Sequence, residues 1–147
     1  EDIKDQYTMD FIVNTMEKTN TAKQITFEIV ESEGIESFAE VSNFIKKAKK
    51  LGCKIAIDDF GTGYSNFEYI IKLDVDYIKI DGSLIKNINS DNNLYLTVQT
   101  IVGFAKALKI KTVAEFVHNE EVLNCVKNLD IDYSQGFFID EPKELIL

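Results

Sequence analysis

Residues 5–19 carry Met9, Phe11, Ile12, Val13 and Met16 between polar positions at a rough helical period, which predicts a helix. Residues 25–30 then alternate as a strand: Ile25, Phe27 and Ile29 share one face, Thr26 and Glu28 the other, so Glu28 points away from the apolar side. Glu31 and Glu33 follow in the exit loop. A second helix is expected over residues 35–51, burying Phe38, Val41, Ile45 and Ala48, with Gly52 as its C-cap. Residues 54–60 predict a second strand, 66–73 a short helix and 77–81 a third strand, in which Lys79 falls where the pattern expects a core-facing or cavity-facing side chain. A long helix over 93–108 presents Leu94, Val98, Ile101, Val102, Ala105 and Leu108. Residues 111–117 read as a fourth strand with Glu115 near its end, 120–128 as a helix, and 133–139 as the last strand, carrying Gln135 and Gly136 ahead of the lone Pro142. Strand and helix thus alternate five times in units of about thirty residues, the pattern of βαβ crossovers and a parallel sheet, so the fold class is α/β.

Composition narrows the partners. The chain has 147 residues, one domain's worth, with 45% apolar and 28% charged positions. A net charge of -9 offers no basic stripe for nucleic acid, so DNA and RNA are not expected partners, and a phosphorylated small ligand would need the help of a metal. Lys46, Lys47, Lys49 and Lys50 interleave with Phe44, Ile45 and Ala48 along a helix and read as its solvated face. Cys53 and Cys125 lack metal-type spacing; reduced structural thiols in a cytoplasmic protein, or in a cytoplasmic domain of a larger signalling protein, are expected. No apolar run approaches a membrane span and no signal peptide is evident, so this segment is expected to make no membrane contact.

Each strand brings a polar residue to or near its C-terminal end: Glu28, Asp58 with Asp59, Lys79, Glu115 and Gln135. Parallel α/β sheets and (β/α) barrels both build their sites at that end, so the five strands nominate one site. The run from Ala56 to Ser65 is its centre. Successive side chains on a strand point to opposite faces, so Asp58 and Asp59 can share an interior only if the backbone is already turning there, and Gly61 and Gly63 permit a turn. The plainer use of such a pair is to cap the next helix. Several carboxylates aimed at one point repel unless a cation lies among them, and an all-oxygen donor set favours Mg²⁺ or Mn²⁺ over zinc. Lys79 could hold a water or neutralise an attacked phosphate, which is the plan of two-metal phosphodiester hydrolysis.

The run Leu51 to Ser65, followed by Asp76-Tyr77-Ile78-Lys79-Ile80-Asp81, resembles the EAL family of cyclic-di-GMP phosphodiesterases. So do Phe27-Glu28-Ile29-Val30-Glu31, Val113-Ala114-Glu115 and Gln135-Gly136-Phe137, in the family's order and near its spacing. The resemblance implies a partial (β/α)8 TIM-type barrel of about five parallel strands, in which two Mg²⁺ or Mn²⁺ ions and a lysine-oriented water open cyclic di-GMP to linear pGpG. It implies Glu28 and Asp58 as ligands of one metal, with Asp58, Asp59 and Glu115 around the other. Lys79 would orient the water, Gln135 would support the site, and Glu31 would anchor the loop of residues 60–66, which couples substrate and dimer contacts in this family. A homodimer, or partner domains of a longer chain, is the expected assembly.

Two departures stand against the family's pattern. Its Glu-Ala-Leu strand and its asparagine-bearing strand would precede residue 1, so these residues are expected to form an incomplete EAL-type domain, a cropped piece with little activity alone. Phe116-Val117-His118 replaces the family's usual Gly-Val-Glu. These departures motivate an alternative, a catalytically degenerate cyclic-di-GMP sensor or dimerisation module. A weaker option is an unrelated barrel enzyme acting on another phosphoester.

Overall fold

The alternation in Thr26–Val30 and the almost wholly apolar start of Lys54–Phe60 are satisfied by a parallel pair, β1 and β2, whose partners run from Thr26 opposite Lys54 to Val30 opposite Asp58. Both belong to a computed structural model that describes residues 6–31, 38–62 and 67–143. Around them, in chain order, lie α1 (Gln6–Thr19), a 3₁₀ turn (Ala22–Gln24), β1, α2 (Phe38–Leu51), β2, α3 (Phe67–Lys72), β3 (Tyr77–Ile80), α4 (Gly82–Ile85), α5 (Asn92–Ala107), β4 (Lys111–Ala114), α6 (Glu120–Asn128) and β5 (Tyr133–Ser134). The sheet order is β1-β2-β3-β4-β5, that of consecutive parallel strand and helix units, as expected for part of a (β/α) barrel. Glu33, the start of the second predicted helix, and the loop residues Gly63, Tyr64, Ser65 and Asn66 lie outside the described residues.

The chain divides into two compact units, Glu1–Asp58 with Ser65–Tyr77, and Asp59–Tyr64 with Ile78–Leu147. In the first, Phe27 meets Phe44 of α2 edge to face with centroids 5.0 Å apart, so the Phe27 and Ile29 face of β1 looks at the helix. Register puts Ile55 and Ile57 on that face, and Val41, Phe44, Ile45 and Ala48 of α2 are buried as the helical spacing requires. Gly52, at φ 97, ends α2, with Cys53 N–H returning to the Ala48 carbonyl, a Schellman-type close. In the second unit Ile78 and Ile80 of β3, Val98, Ile101, Val102 and Ala105 of α5, and Val122 and Val126 of α6 are buried.

One device occurs in both units. Asp76 accepts from Lys54 Nζ at 2.8 Å and from Ile55 N–H at 3.0 Å, clipping the start of β2, and Lys49 Nζ reaches the same carboxylate at 3.1 Å. Asp132 accepts from Lys111 Nζ and from Thr112 N–H at 2.9 Å, clipping the start of β4. In each case the aspartate directly precedes the Tyr that opens the next strand, Tyr77 or Tyr133. Burial works against both charged carboxylates. The lysine and amide donors outweigh it and hold both below the ordinary aspartate range.

The structure departs from the periodic reading in several places. The fourth strand stops at Ala114 and does not run on to Val117, because Phe116 takes φ 57 and turns the chain. Phe11 is 64% exposed, so α1 buries Met16 without it. Phe38 and Leu108 lie at helix ends and are partly exposed. Lys49 is held by Asp74 and Asp76 and is not merely part of a solvated face. The last strand stops at Ser134, because Gly136 takes φ 151 and residues 137–139 turn. The one-turn α4 falls outside the sequence reading; Asp81 caps it by accepting from Ser83 N–H at 2.8 Å.

Candidate functional site

In the first unit the β1 and β2 register sorts the acids. Phe27, Ile29, Ile55 and Ile57 face the helix, so Glu28 and Asp58 fall on the opposite face, Asp58 one step nearer the C-terminal end. Glu28 is exposed and Asp58 half-buried. Glu31 directly follows β1 and is 6% exposed, an unusual depth for a carboxylate. The loop it is expected to anchor runs into residues outside those described.

The second unit starts at Asp59, where the turn needed to escape strand alternation occurs. Its φ is 55, a left-handed conformation that aspartate tolerates better than most residues, so the acid itself bends the backbone and Gly61, at φ 102, continues the turn. A Cβ at Gly61 would meet chiefly the movable end of the Leu84 side chain, so its positive φ is the reason for glycine there. Released from the pleat, the Asp59 carboxylate brings an oxygen within 4.8 Å of one from Glu115. Glu115 lies one residue beyond β4 and is held by its N–H donating to Ile80 O at 3.2 Å. Its side chain sits 3.1 Å from Lys79 Nζ and accepts from Gln135 Nε2 at 2.7 Å. Lys79 is 8% exposed, so β3 delivers a buried ammonium to the carboxylate carried by β4.

The second unit thus gathers four of the sequence-nominated residues, Asp59, Lys79, Glu115 and Gln135, from the ends of successive strands. An acid pair with only oxygen donors fits a hard divalent ion, and among the described residues no cysteine or histidine joins the cluster. The buried Lys79 supplies a fixed positive charge where an anionic phosphodiester would need one.

Beside this cluster is a cavity of about 690 Å³, within the range of small-molecule sites, lined by Asp81, Glu115, Phe116, His118, Gln135 and Pro142 among others. Phe116 and His118 were legible in the sequence only as departures from a pattern. Asp81, Gly82 and the 137–142 turn were not singled out for the site at all. Their one sequence signal is the Gly and Pro punctuation after β3 and β5.

Comparison with known proteins agrees with this fold. The EAL domain family model matches residues 1–142. The chain is 38% identical over 144 residues to the cyclic di-GMP phosphodiesterase PdeA of Borreliella burgdorferi, covering 97% of this chain and 22% of that protein. It is 42% identical over 125 residues to the cyclic di-GMP phosphodiesterase PdeF of Escherichia coli, covering 85% of this chain and 17% of that protein. The chain therefore spans about a fifth of the length of these curated relatives. Among solved structures, the PaMucR phosphodiesterase in complex with c-di-GMP superposes with a TM-score of 0.90 at 26% identity, covering 98% of this chain and 59% of that one. With the strand order, the strand-tip acids and the family model in agreement over nearly its whole length, this chain belongs to the EAL domain family.

Proposed function

We propose that this chain is the last five strand and helix units of the barrel of a metal-dependent phosphodiesterase that opens cyclic di-GMP to linear pGpG. The observation that carries the reading is the buried Lys79 at 3.1 Å from Glu115, with the Asp59 carboxylate beside Glu115 at the ends of successive strands. Relatives named as cyclic di-GMP phosphodiesterases support the substrate.

In this reading Glu28 and Asp58 would help hold one Mg²⁺ or Mn²⁺ ion, and Asp58, Asp59 and Glu115 would hold the other. Such ions lower the pKa of a bound water and neutralise charge developing at phosphorus. The chain's own side chains do the positioning. Lys79 orients the attacking water and offsets the phosphate's charge. Gln135, donating to Glu115, keeps that carboxylate turned toward its neighbours. Glu31 anchors the loop of residues 60–66.

A homodimer, or partner domains of a longer chain, belongs to the same reading, and light scattering on the purified protein tests the dimer. A cytoplasmic setting is supported by the free Cys53 and Cys125. No helix among the described residues is long and apolar enough to cross a membrane. A second reading, binding without hydrolysis, is favoured by Phe116 and His118 standing where the family usually carries Gly and Glu. The test is incubation of the protein, with any residues that flank this chain retained, with cyclic di-GMP and Mg²⁺ or Mn²⁺. Release of pGpG that is lost in Lys79→Ala is expected; calorimetric binding with no product would favour the second reading, and full turnover by Lys79→Ala would overturn the lysine's role.

A further inference from the structure

Phe116 has a feature that hydrolysis does not use. Its φ is 57, and a bulky residue in the left-handed region is a genuine outlier, kept only where its surroundings over-determine it. They do so here. On one side of Phe116, Glu115 N–H is bound to Ile80 O at 3.2 Å; on the other, Val117 N–H donates to Gln135 O at 3.0 Å and Val117 O accepts from Phe138 N–H at 3.1 Å. Gly136 lets that latch close, since a Cβ there would lie 2.2 Å from Val117 O, and Gly82 clears the other side, where a Cβ would lie 2.8 Å from Phe116 Cβ. His118 braces the corner from outside: Nδ1 donates to Phe116 O at 3.2 Å and Nε2 accepts from the Asn119 amide at 3.2 Å.

The strained corner does not bury the ring. Phe116 is 52% exposed, lines the cavity next to Glu115, and has Lys86 Nζ 5.8 Å from its centroid. A strained backbone that presents an aromatic face to a cavity gains little for stability and much for a flat ligand. We propose that the face of Phe116 turned away from Lys86 is a stacking platform for one nucleobase of the cyclic dinucleotide, with the Lys86 ammonium over the opposite face as a counter-charge for the adjoining phosphodiester. The inference rests on the substrate reading above, which supplies a ligand with both a base and a phosphodiester. Every base has a π-face, and stacking on one aromatic side chain changes affinity by about 5- to 150-fold.

Calorimetric titration of cyclic di-GMP into the wild-type protein and the Phe116→Gly, Phe116→Leu and Phe116→Trp variants, flanking residues retained, tests it. The Gly and Leu variants should bind about 5- to 150-fold more weakly and Trp within about threefold of wild type. Phe116→Gly should not lower the unfolding midpoint, because it relieves the left-handed strain, so a loss of affinity there is not a loss of fold. Wild-type affinity in both the Gly and Leu variants would overturn the platform while leaving pGpG release, and so the hydrolytic reading, intact. Tight wild-type binding that these variants weaken, without any pGpG, would uphold the platform and defeat hydrolysis. A wild-type protein that binds no cyclic di-GMP would defeat both.

Discussion

Asp59 and Gly136 show how single residues set this site. Asp59 occupies a left-handed conformation that asparagine also tolerates, so Asp59→Asn should leave stability within about 0.5 kcal/mol of wild type in urea unfolding. The same variant loses a carboxylate charge from the acid pair and should lower turnover by more than about 100-fold, a few kcal/mol of transition-state stabilisation. Gly136→Ala has the opposite profile: the new methyl would meet the Val117 backbone, and destabilisation of about 3 kcal/mol is expected by denaturant unfolding. The nominated acids were legible because carboxylates at strand tips are poor structure and plausible chemistry. That the turn lies in Asp59 itself was not legible, since Gly61 and Gly63 advertise a turn more openly than an aspartate does. The turn at Phe116 was illegible for a similar reason: nothing in a phenylalanine announces a positive φ.

At the scale of elements, β2 and β4 each begin at an aspartate clip. The folded state holds Asp76 and Asp132 below the ordinary aspartate range, through the lysine and backbone donors that outweigh burial. The unfolded chain therefore binds more protons in acid. The stabilisation is fully present above a pH of about 4 and is lost as pH falls through the depressed folded-state values. Unfolding free energy measured from pH 6 downward should decline in that acid window and decline less steeply in an Asp76→Asn, Asp132→Asn double variant. Each single substitution should also lower stability at neutral pH by about 1–3 kcal/mol; an unchanged acid profile in the double variant would remove the clips from the account. Most elements could be read in advance because β1, α2, α5 and α6 carry apolar residues at the period of their element and β2 carries a short apolar run. Where the reading failed, local geometry overrode pattern: β5 ends at Ser134 although Phe137, Phe138 and Ile139 continue an apolar run, because Gly136 turns the chain.

The whole molecule is a series of parallel strand and helix units whose sheet runs in chain order, and this organisation was the most legible feature of all. Alternation at a unit length of about thirty residues admits few other folds. The organisation also explains how residues as distant in sequence as Asp59, Lys79, Glu115 and Gln135 come together, since parallel strands deliver their C-terminal ends to one side of the sheet. The division of labour along the chain follows: Glu28, Glu31 and Asp58 lie in the first unit, while the ammonium, the acid pair and the cavity lie in the second. If the strand-tip carboxylates hold divalent ions, Mg²⁺ or Mn²⁺ should raise the thermal midpoint of the wild-type protein and raise that of Asp59→Asn less. Equal shifts in the two proteins would place the ion elsewhere.

Metal-dependent hydrolysis at the strand-tip carboxylates is read out by the rate of pGpG formation from cyclic di-GMP, with flanking residues retained, after chelation and again after Mn²⁺ is restored, for wild type and Glu115→Gln. Turnover should vanish with the chelator, return with Mn²⁺ in the wild type, and stay at least about 100-fold lower in Glu115→Gln. Metal-independent turnover, or a Glu115→Gln protein as fast as wild type, would contradict metal-dependent hydrolysis at these carboxylates.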